Sequence, residues 1–378
     1  MKHAIRAERM FDGERECGGA PLVVIADGKI VDVDLSGARP SADLPVTDLG
    51  DVTLLPGLVD SHVHLGFDPA GVAVDLQHDA EDVMLERMRA NAVEALRAGI
   101  TTVRDLGDRS YLTLRVRDAG PEVLVAGPPV TTTGGHCWFL GGEADGLDGV
   151  RAAVTERVER GVDVVKIMAT GGSVTPGSSP FHQQYTTEEL RAGVEIAHAA
   201  GIPVAVHAHG ASGIAAAVEA GVDSIEHGFF LAPGGPVVDW ATVETLVRKE
   251  IYVSTTTARR PSGEPMAPVS VKVRENFARM RELGVRLVCS SDAGVGPFKR
   301  FDSLPHGIVE FGELLGFGTA GALASATSVA ANACGIGKRK GRIAPGYDAD
   351  LLAVAGNPLT DLKALLDVRA VFRGGERV

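Results

Sequence analysis

Two histidines separated by one residue, His62 and His64, end a predicted strand that begins at Leu58. Side chains at positions i and i+2 of a β-strand point to the same face, so both imidazoles would face one spot. Neutral imidazole is the commonest metal ligand among protein side chains. The pair therefore predicts a metal site at the end of this strand.

Further ionisable residues end β-branched runs in the same way: Lys166, His207, His227 and Asp292. Taken alone, a buried histidine is more often a hydrogen-bonded core residue than a ligand. A single lysine at a strand end usually extends its ammonium group into water. The joint placement of all these residues at strand ends favours one shared metal site over separate structural roles.

The elements that must position these residues alternate along the middle of the chain. Helix-like runs end at a glycine, and a β-branched run follows each of them: Gly99, Gly161, Gly201, Gly221 and Gly284. Such a glycine supplies a left-handed helix C-cap, and the run after it is typical of a buried parallel strand. With runs at 58–64, near Val123 and near Ile251, the count reaches eight. This pattern predicts an α/β protein and favours a (β/α)8 TIM barrel over an open sheet. In such a barrel the active site lies at the carboxyl ends of the strands.

Both ends of the chain contain short strand-like runs, at 22–25 and 30–33 and again at 350–354 and 368–375. Asp27-Gly28 between the first two is a strong hairpin signal. Two β-rich ends around a different middle predict that the termini meet in a small β-sandwich domain. We assign residues 1–55 and 343–378 to this discontinuous domain, and residues 56–342 to the metal-dependent barrel.

The composition excludes several classes of function. Of 378 residues, 45% are hydrophobic and 23% charged, which suits a globular protein with a large core. A net charge of −12 without a basic patch argues against nucleic-acid binding. No run approaches the roughly 18 apolar residues of a membrane span, and no basic amphipathic helix is evident. The four cysteines form no CxxC pair and the first residues lack an apolar leader, so we expect a cytoplasmic protein.

The segment Leu55-Pro-Gly-Leu-Val-Asp60-Ser-His62-Val-His64, followed by Lys166, His207, His227 and Asp292, resembles the amidohydrolase superfamily in its two-metal form. The resemblance covers nearly the whole chain, and residues 342–351 resemble the superfamily's return into its terminal sandwich. Residues 164–172, 206–210 and 224–228 look most like the imidazolonepropionase-related branch. That branch includes Xaa-Pro dipeptidases and Lys/Arg-type carboxypeptidases, and its members are often homo-oligomers.

The resemblance implies two divalent ions and a ligand set. Its members are His62, His64 and Asp292 for the first ion, His207 and His227 for the second, and Lys166 as a bridge carrying a carbamate derived from CO2. Carbamate formation requires a neutral amine, which burial favours by lowering the lysine pKa. Zn is the metal that we expect, although Mn, Co or Fe fits the same ligands.

The chemistry implied is hydrolysis of a C–N bond in a small molecule. A hydroxide bridging the ions attacks the carbonyl, while Asp292 takes its proton and delivers it to the leaving nitrogen. We expect an amide substrate, a dipeptide or N-acyl amino acid. Alternatives are hydrolysis of carbamates, ureas or cyclic amides, one-metal deamination, and a non-catalytic scaffold. Lys166 argues against the deaminase, which usually lacks this lysine, and the full ligand set argues against the scaffold.

Substrate contacts are predicted from loops that follow the strands. His136 follows the third strand, where the related branch often places a substrate-binding histidine. The other candidates are Tyr185, Arg259 and Arg260 for an α-carboxylate, and Trp138 and Glu143 for an apolar group and a cation. His209, two residues beyond His207, shares its face only if the strand continues to Gly210.

Overall fold

The structure, a computed structural model, describes residues 2–37 and 40–378. Short strands fill the N-terminal part of the chain: β1 (His3–Arg6), β2 (Arg9–Phe11), β3 (Glu16–Cys17), β4 (Leu22–Ala26), β5 (Lys29–Asp34), β6 (Val46–Asp48) and β7 (Val52–Pro56). Strands β4 and β5 form the hairpin predicted at Asp27-Gly28. Both turn residues have positive φ angles, 50° and 75°, as a type I′ turn requires.

In the middle of the chain, strands alternate with helices. The strands are β8 (Leu58–Val63), β9 (Ile100–Asp105), β10 (Glu122–Val125), β11 (Val165–Met168), β12 (Val204–Gly210), β13 (Ser224–Ala232), β14 (Gly235–Pro236), β15 (Tyr252–Ser254) and β16 (Arg286–Val288). The helices are α1 (Glu81–Arg97), α2 (Gly146–Arg160), α3 (Thr187–Ala199), α4 (Ala211–Ala220), α5 (Trp240–Arg248), α6 (Pro268–Glu282), α7 (Leu304–Leu314), α8 (Gly318–Ser325) and α9 (Ser328–Ala333). The mixed α/β fold predicted from the sequence is thus confirmed.

Local signals set the helix ends. Helix α3 begins after Thr186, whose hydroxyl accepts a hydrogen bond from the backbone N–H of Glu189, while the Glu189 carboxylate accepts one from the backbone of Thr186. This capping box satisfies two backbone donors that the first helical turn leaves free. Helices α2 and α4 end at Gly161 and Gly221, both in the left-handed conformation. Each glycine turns the chain directly towards the next strand.

Strands from the two ends of the chain share one sheet. The C-terminal strands are β17 (Leu351–Ala355), β18 (Val368–Arg373) and β19 (Glu376–Arg377). One terminal sheet has the order β5-β4-β1-β6 and the other β19-β18-β17-β7-β2-β3, in which β17 pairs antiparallel with β7. Ile5, Ile25, Leu54, Leu351 and Phe372 lie in one apolar cluster. The two ends therefore pack together, while a sandwich domain with the bounds given above stays a prediction.

The central strands form two parallel sheets. One has the order β10-β9-β8, and the other has the order β11-β12-β13-β15-β16, with β14 paired to β13 at the side. Every residue of β8, β9, β11 and β12 is buried. Parallel strands covered on both faces are expected to be apolar throughout. The polar residues at their carboxyl ends are therefore exceptions to this pattern.

The described central strands form two sheets rather than one closed sheet, so the closed (β/α)8 barrel stays a prediction. Between β10 and β11, the described residues pair through an isolated bridge between Val130 and Ile167. Pro128 and Pro129 stand just before this bridge. Proline has no N–H to donate to a sheet ladder, so continuous pairing stops there.

A second interruption separates β16 from β8. Here Val63 and Ala293 form an isolated bridge. The backbone N–H of Ser291 donates to the Asp60 carboxylate at 3.1 Å rather than to a strand carbonyl. The Asp60 side chain thus supplies one acceptor on this side, while backbone hydrogen bonds from Asp292 to His62 (2.8 Å) and from His64 to Ala293 (2.9 Å) join the two segments. Among the described helices, none is long and apolar enough to span a bilayer.

Candidate metal centre

The end of β8 and the segment after β16 bring three predicted ligands together. The Nε2 atoms of His62 and His64 are 3.3 Å apart. Asp292 Oδ1 lies 3.5 Å from the first and 3.4 Å from the second. Tetrahedral ligands at about 2.0–2.1 Å from a zinc ion are about 3.3–3.4 Å from one another. The three buried side chains therefore have the spacing of a shared cation site.

A second group of buried histidines lies beside the first. His207 Nδ1 and His227 Nε2 are 2.8 Å apart, and His209 offers a ring nitrogen within 4.8 Å of both. Strand β12 continues through Gly210, so His209 does share the face of His207. The sequence had left this point open, and the structure adds His209 as a further candidate ligand.

Lys166 lies in β11 and lines the same cavity as these histidines. Its side chain is buried, and its Nζ has no hydrogen-bond partner among the described residues. Burial lowers the pKa of this amine to about 8. An unpartnered amine that is partly neutral at physiological pH fits a lysine that becomes carbamylated.

Each of the four predicted histidine ligands uses its outward ring nitrogen to contact an oxygen. The contacts are His62 Nδ1 to Glu226 Oε2 at 2.8 Å, His64 Nδ1 to the Gly107 carbonyl at 3.3 Å, His207 Nε2 to the Gly171 carbonyl at 3.0 Å and His227 Nδ1 to Thr256 Oγ1 at 2.8 Å. Metal-binding histidines almost always donate their second N–H to such an oxygen. This arrangement leaves the other nitrogen of each ring as an acceptor facing its neighbours.

The pKa values of five buried histidines in this region favour the neutral form. Burial lowers the pKa of His62 to about 4 and those of His136 and His209 to about 3. Burial also holds the pKa values of His207 and His227 well below the usual range. Neutral imidazole is the form that binds metals. The centre is therefore ready to bind cations at neutral pH without losing protons from these rings.

Glu226 is the outer partner of His62 and was not identified from the sequence. It is fully buried, and its Oε1 accepts hydrogen bonds from Arg104 Nη2 at 2.9 Å and Ser224 Oγ at 2.7 Å. Burial alone would raise the pKa of this carboxyl, but Arg104 and His62 hold it below its usual range. Arg104 thus makes a buried ion pair with Glu226.

Lys299 was also missed by the sequence reasoning. Its Nζ donates to Asp292 Oδ2 at 3.0 Å and to the Thr256 carbonyl at 2.8 Å. Burial alone would raise the pKa of Asp292, but Lys299 and the two neighbouring histidines hold it well below its usual range. Asp292 is therefore ionised, as both a metal ligand and a general base require.

The cavity between these groups has a volume of about 170 Å³. His136 lines it, with Nδ1 3.0 Å from Thr175 Oγ1 and its ring centroid 4.4 Å from that of His207. The apolar part of the lining consists of Phe67, Met168, Val174, Phe229 and Val295. Because typical pockets for drug-sized ligands measure about 300–1,000 Å³, only the reacting part of a larger substrate would fit inside.

The other predicted substrate contacts do not line this cavity. They are Trp138, Glu143, Tyr185, Arg259 and Arg260. Tyr185 is buried and donates to the Ala144 carbonyl at 2.6 Å, and Glu143 accepts from the Gly134 N–H at 2.7 Å. Arg260 pairs with Asp302 in a separate surface groove. Their role in substrate binding stays a prediction.

Comparison with known proteins places the chain in a family. Residues 53–378 match the model of the Amidohydrolase family. Ochratoxinase of Aspergillus niger is 29% identical to this chain, and the match covers 85% of this chain and 75% of that protein. The crystal structure of a Xaa-Pro dipeptidase with bound methionine is 31% identical with a TM-score of 0.88, and the match covers 100% of both chains. A prolidase complexed with N-methylphosphonate-L-proline is 28% identical with a TM-score of 0.87, covering 100% of this chain and 99% of the other.

The family match covers most of the chain, and it includes every residue of the buried histidine, lysine and aspartate cluster described above. The similarity to the dipeptidase and prolidase structures extends over the full length of this chain. This protein belongs to the amidohydrolase family.

Proposed function

We propose that this protein is a metal-dependent hydrolase that cleaves the amide bond of a dipeptide or an N-acyl amino acid. The observation that carries the proposal is the set of four buried histidines, each held from outside by an oxygen and each turning its free nitrogen inwards. The names of the relatives, ochratoxinase, Xaa-Pro dipeptidase and prolidase, support a substrate of this class.

The proposed ligands are those implied by the sequence. His62, His64 and Asp292 would hold one ion, His207 and His227 the other, and a carbamate on Lys166 would bridge them. The buried, unpartnered Nζ supports this role for Lys166, because a carbamate supplies the negative charge that two cations need. When bound, the ions would activate a water molecule and polarise the scissile carbonyl. We propose Zn because histidine and carboxylate ligands suit it.

Asp292 is the proposed catalytic base and acid. Its Oδ1 faces His62 and His64, while its Oδ2 accepts a hydrogen bond from Lys299. The ionised carboxylate can take a proton from the attacking water and pass it to the leaving nitrogen.

The proposed architecture is a (β/α)8 barrel at 56–342 with a β-sandwich from 1–55 and 343–378. The two isolated bridges between the parallel sheets support the barrel, and the apolar cluster shared by both ends supports the sandwich. We further propose a cytoplasmic homo-oligomer that acts on a small molecule and binds neither nucleic acid nor membrane.

The test is amino-acid release from a library of dipeptides and N-acyl amino acids, with Zn-loaded enzyme in bicarbonate buffer. We expect release from one group of C-terminal residues, and a loss of at least about 100-fold in Asp292→Asn because proton transfer fails. Asp148→Asn, at an exposed surface site, is the matched control. If enzyme with two bound metals releases nothing, the substrate class is wrong and carbamates, ureas and cyclic amides become the next substrates to assay.

A further inference from the structure

One positively charged side chain faces the cavity without belonging to the proposed ligand set. This residue is Lys299. The other titratable lining residues outside that set are His136, His209 and Cys137. Burial keeps the two imidazoles neutral and raises the pKa of the thiol to about 12. Lys299 therefore provides a positive charge that is available to a ligand entering the described cavity.

The loop that carries Lys299 is fixed against strand β8. The backbone N–H of Lys299 donates to the Gly296 carbonyl at 3.0 Å, and its carbonyl accepts from the Gly294 N–H at 2.8 Å. Gly294 lies so close to β8 that a Cβ there would be 2.7 Å from the His64 carbonyl oxygen. The base of the Lys299 side chain is thus held at a set distance from the metal centre.

The ammonium group of Lys299 retains hydrogen-bonding capacity. It has three N–H donors, of which two have partners in the described structure, the Thr256 carbonyl and Asp292 Oδ2. The side chain is 22% exposed. Because Asp292 Oδ1 points at His62 and His64, Lys299 lies one carboxylate group away from the proposed first ion. A negatively charged group beside the reacting carbonyl could accept the remaining donor.

The geometry of the substrate class matches this position. In a dipeptide or N-acyl amino acid, the free carboxylate is three bonds from the scissile carbonyl carbon. If the scissile carbonyl lies at the metal centre, the carboxylate therefore lies within a few ångströms of the metal centre. C-terminal amides, carbamates and ureas without an acid group lack the matching charge. A charge-assisted hydrogen bond from Lys299 would therefore favour substrates with a free carboxylate over substrates without one.

We propose that Lys299, placed between Asp292 and the cavity, binds the free carboxylate of the substrate and so selects acids over their amides. This inference rests on the proposed function, since it assumes that the scissile carbonyl binds at the metal centre. Lys299 is then a substrate-binding residue in addition to being a partner of Asp292.

The kinetic test compares one substrate, found in the release assay, with its C-terminal primary amide. Wild-type enzyme should prefer the acid by kcat/KM. Lys299→Met should lower kcat/KM for the acid by about 10- to 100-fold relative to the amide, the range for a hydrogen bond to a charged group. Lys299→Arg should retain part of the preference because it keeps the charge. Lys272→Met, which removes an exposed lysine charge on α6, is the control.

Binding gives a readout that does not depend on turnover. Titration calorimetry would measure the affinity of each metal-loaded variant for N-methanesulfonyl-L-phenylalanine and for its C-terminal amide. Both compounds carry an uncleavable sulfonamide in place of the scissile amide. The acid should bind more tightly to wild type, and Lys299→Met should remove this difference. Equal losses on acid and amide, in both assays, would mean that Lys299 acts only through Asp292 and would overturn the proposal. If no C–N bond is cleaved, the proposed function fails, while the binding comparison still decides the role of Lys299.

Discussion

At the scale of single residues, the centre depends on charges that surround the ligands as much as on the ligands. His62 is held by Glu226, and Glu226 is balanced by Arg104, all within a region closed to water. A carboxylate behind a histidine fixes the ring orientation and raises the basicity of the inward nitrogen. The affinity for the first ion should therefore respond to a change at Glu226, which faces away from the cavity.

We predict that Glu226→Gln weakens metal binding about 10- to 100-fold, the usual effect of losing such an outer partner. Gln keeps the shape of the side chain but removes the charge that His62 and Arg104 share. Competition with a chromophoric chelator measures the Zn dissociation constant, and circular dichroism checks folding. Glu219→Gln, at an exposed ion pair, should leave the constant unchanged. Unaltered affinity in folded Glu226→Gln would contradict this role.

The sequence predicted the inward-facing residues better than those that support them. His62 and His64 could be found because a strand places i and i+2 side chains on one face. Glu226 carries no such signal, since it precedes His227 on the opposite face and contacts a strand 164 residues away in sequence. Lys299 follows Asp292 by seven residues in a glycine-containing loop, and its direction depends on turn geometry that no periodicity encodes.

At the scale of elements, the end of β9 and the loop after it carry an unusual pair of buried acids. Asp105 accepts hydrogen bonds from the backbone N–H groups of Leu65 and Gly107, next to His64 and its carbonyl partner. Asp108 binds Thr113 at the start of the following short helix, and its Oδ1 has no partner in the described structure. Burial, and then the charge of Asp105, raise the pKa of Asp108 to about 7.

This raised pKa predicts a pH-dependent stability. The unfolded carboxyl has a pKa near 3.9, so between about pH 4 and 7 the native state binds more protons than the unfolded state. Stability from this group is therefore greatest at low pH and is lost as the pH rises through about 7. Asn has no such titration. The thermal midpoint of wild type minus that of Asp108→Asn should thus fall as the pH rises from 5 to 7.5.

Differential scanning fluorimetry across this pH range provides the measurement. Asp118→Asn, which also removes one carboxylate but at a side chain that is 92% exposed, is the matched control. A constant or rising difference for Asp108→Asn would show that Asp108 is already ionised in the native protein near pH 5. Subtracting the thermal midpoint of the variant from that of wild type removes the pH dependence that the two proteins share.

The parallel strands were predictable because glycine C-caps and β-branched runs alternate with little ambiguity. The interruptions of the sheet were not predicted, although their cause is visible in the sequence. Pro128 and Pro129 stop the ladder beside β11. At the other interruption, the Asp60 side chain replaces a backbone acceptor. Such a replacement depends on tertiary contact and leaves no local pattern.

At the scale of the whole molecule, the proposed metal centre connects distant parts of the chain. The proposed ligands come from β8, β11, β12, β13 and the segment after β16, and β8 follows directly from β7, which pairs with the C-terminal β17. An ion that binds only the folded protein raises the free energy of unfolding by RT ln(1 + [L]/Kd), where [L] is the free metal concentration and Kd the dissociation constant. At a free metal concentration 1,000 times Kd, this amounts to about 4 kcal/mol per site.

We therefore predict that removing metal with a chelator lowers the thermal midpoint by several degrees, and that Zn in bicarbonate restores it. In Lys166→Ala, Zn should restore only part of the lost thermal midpoint. The second ion loses its bridging ligand in this variant, while His62, His64 and Asp292 keep the first ion. In His198→Ala, Zn should restore the midpoint in full, since this histidine is 42% exposed and pairs with Asp223 away from the cavity. Scanning calorimetry with metal analysis on the same samples links each midpoint to the number of bound ions. Full recovery in Lys166→Ala with two ions bound would assign the second site to His207, His209 and His227 without the lysine, the alternative that the position of His209 leaves open.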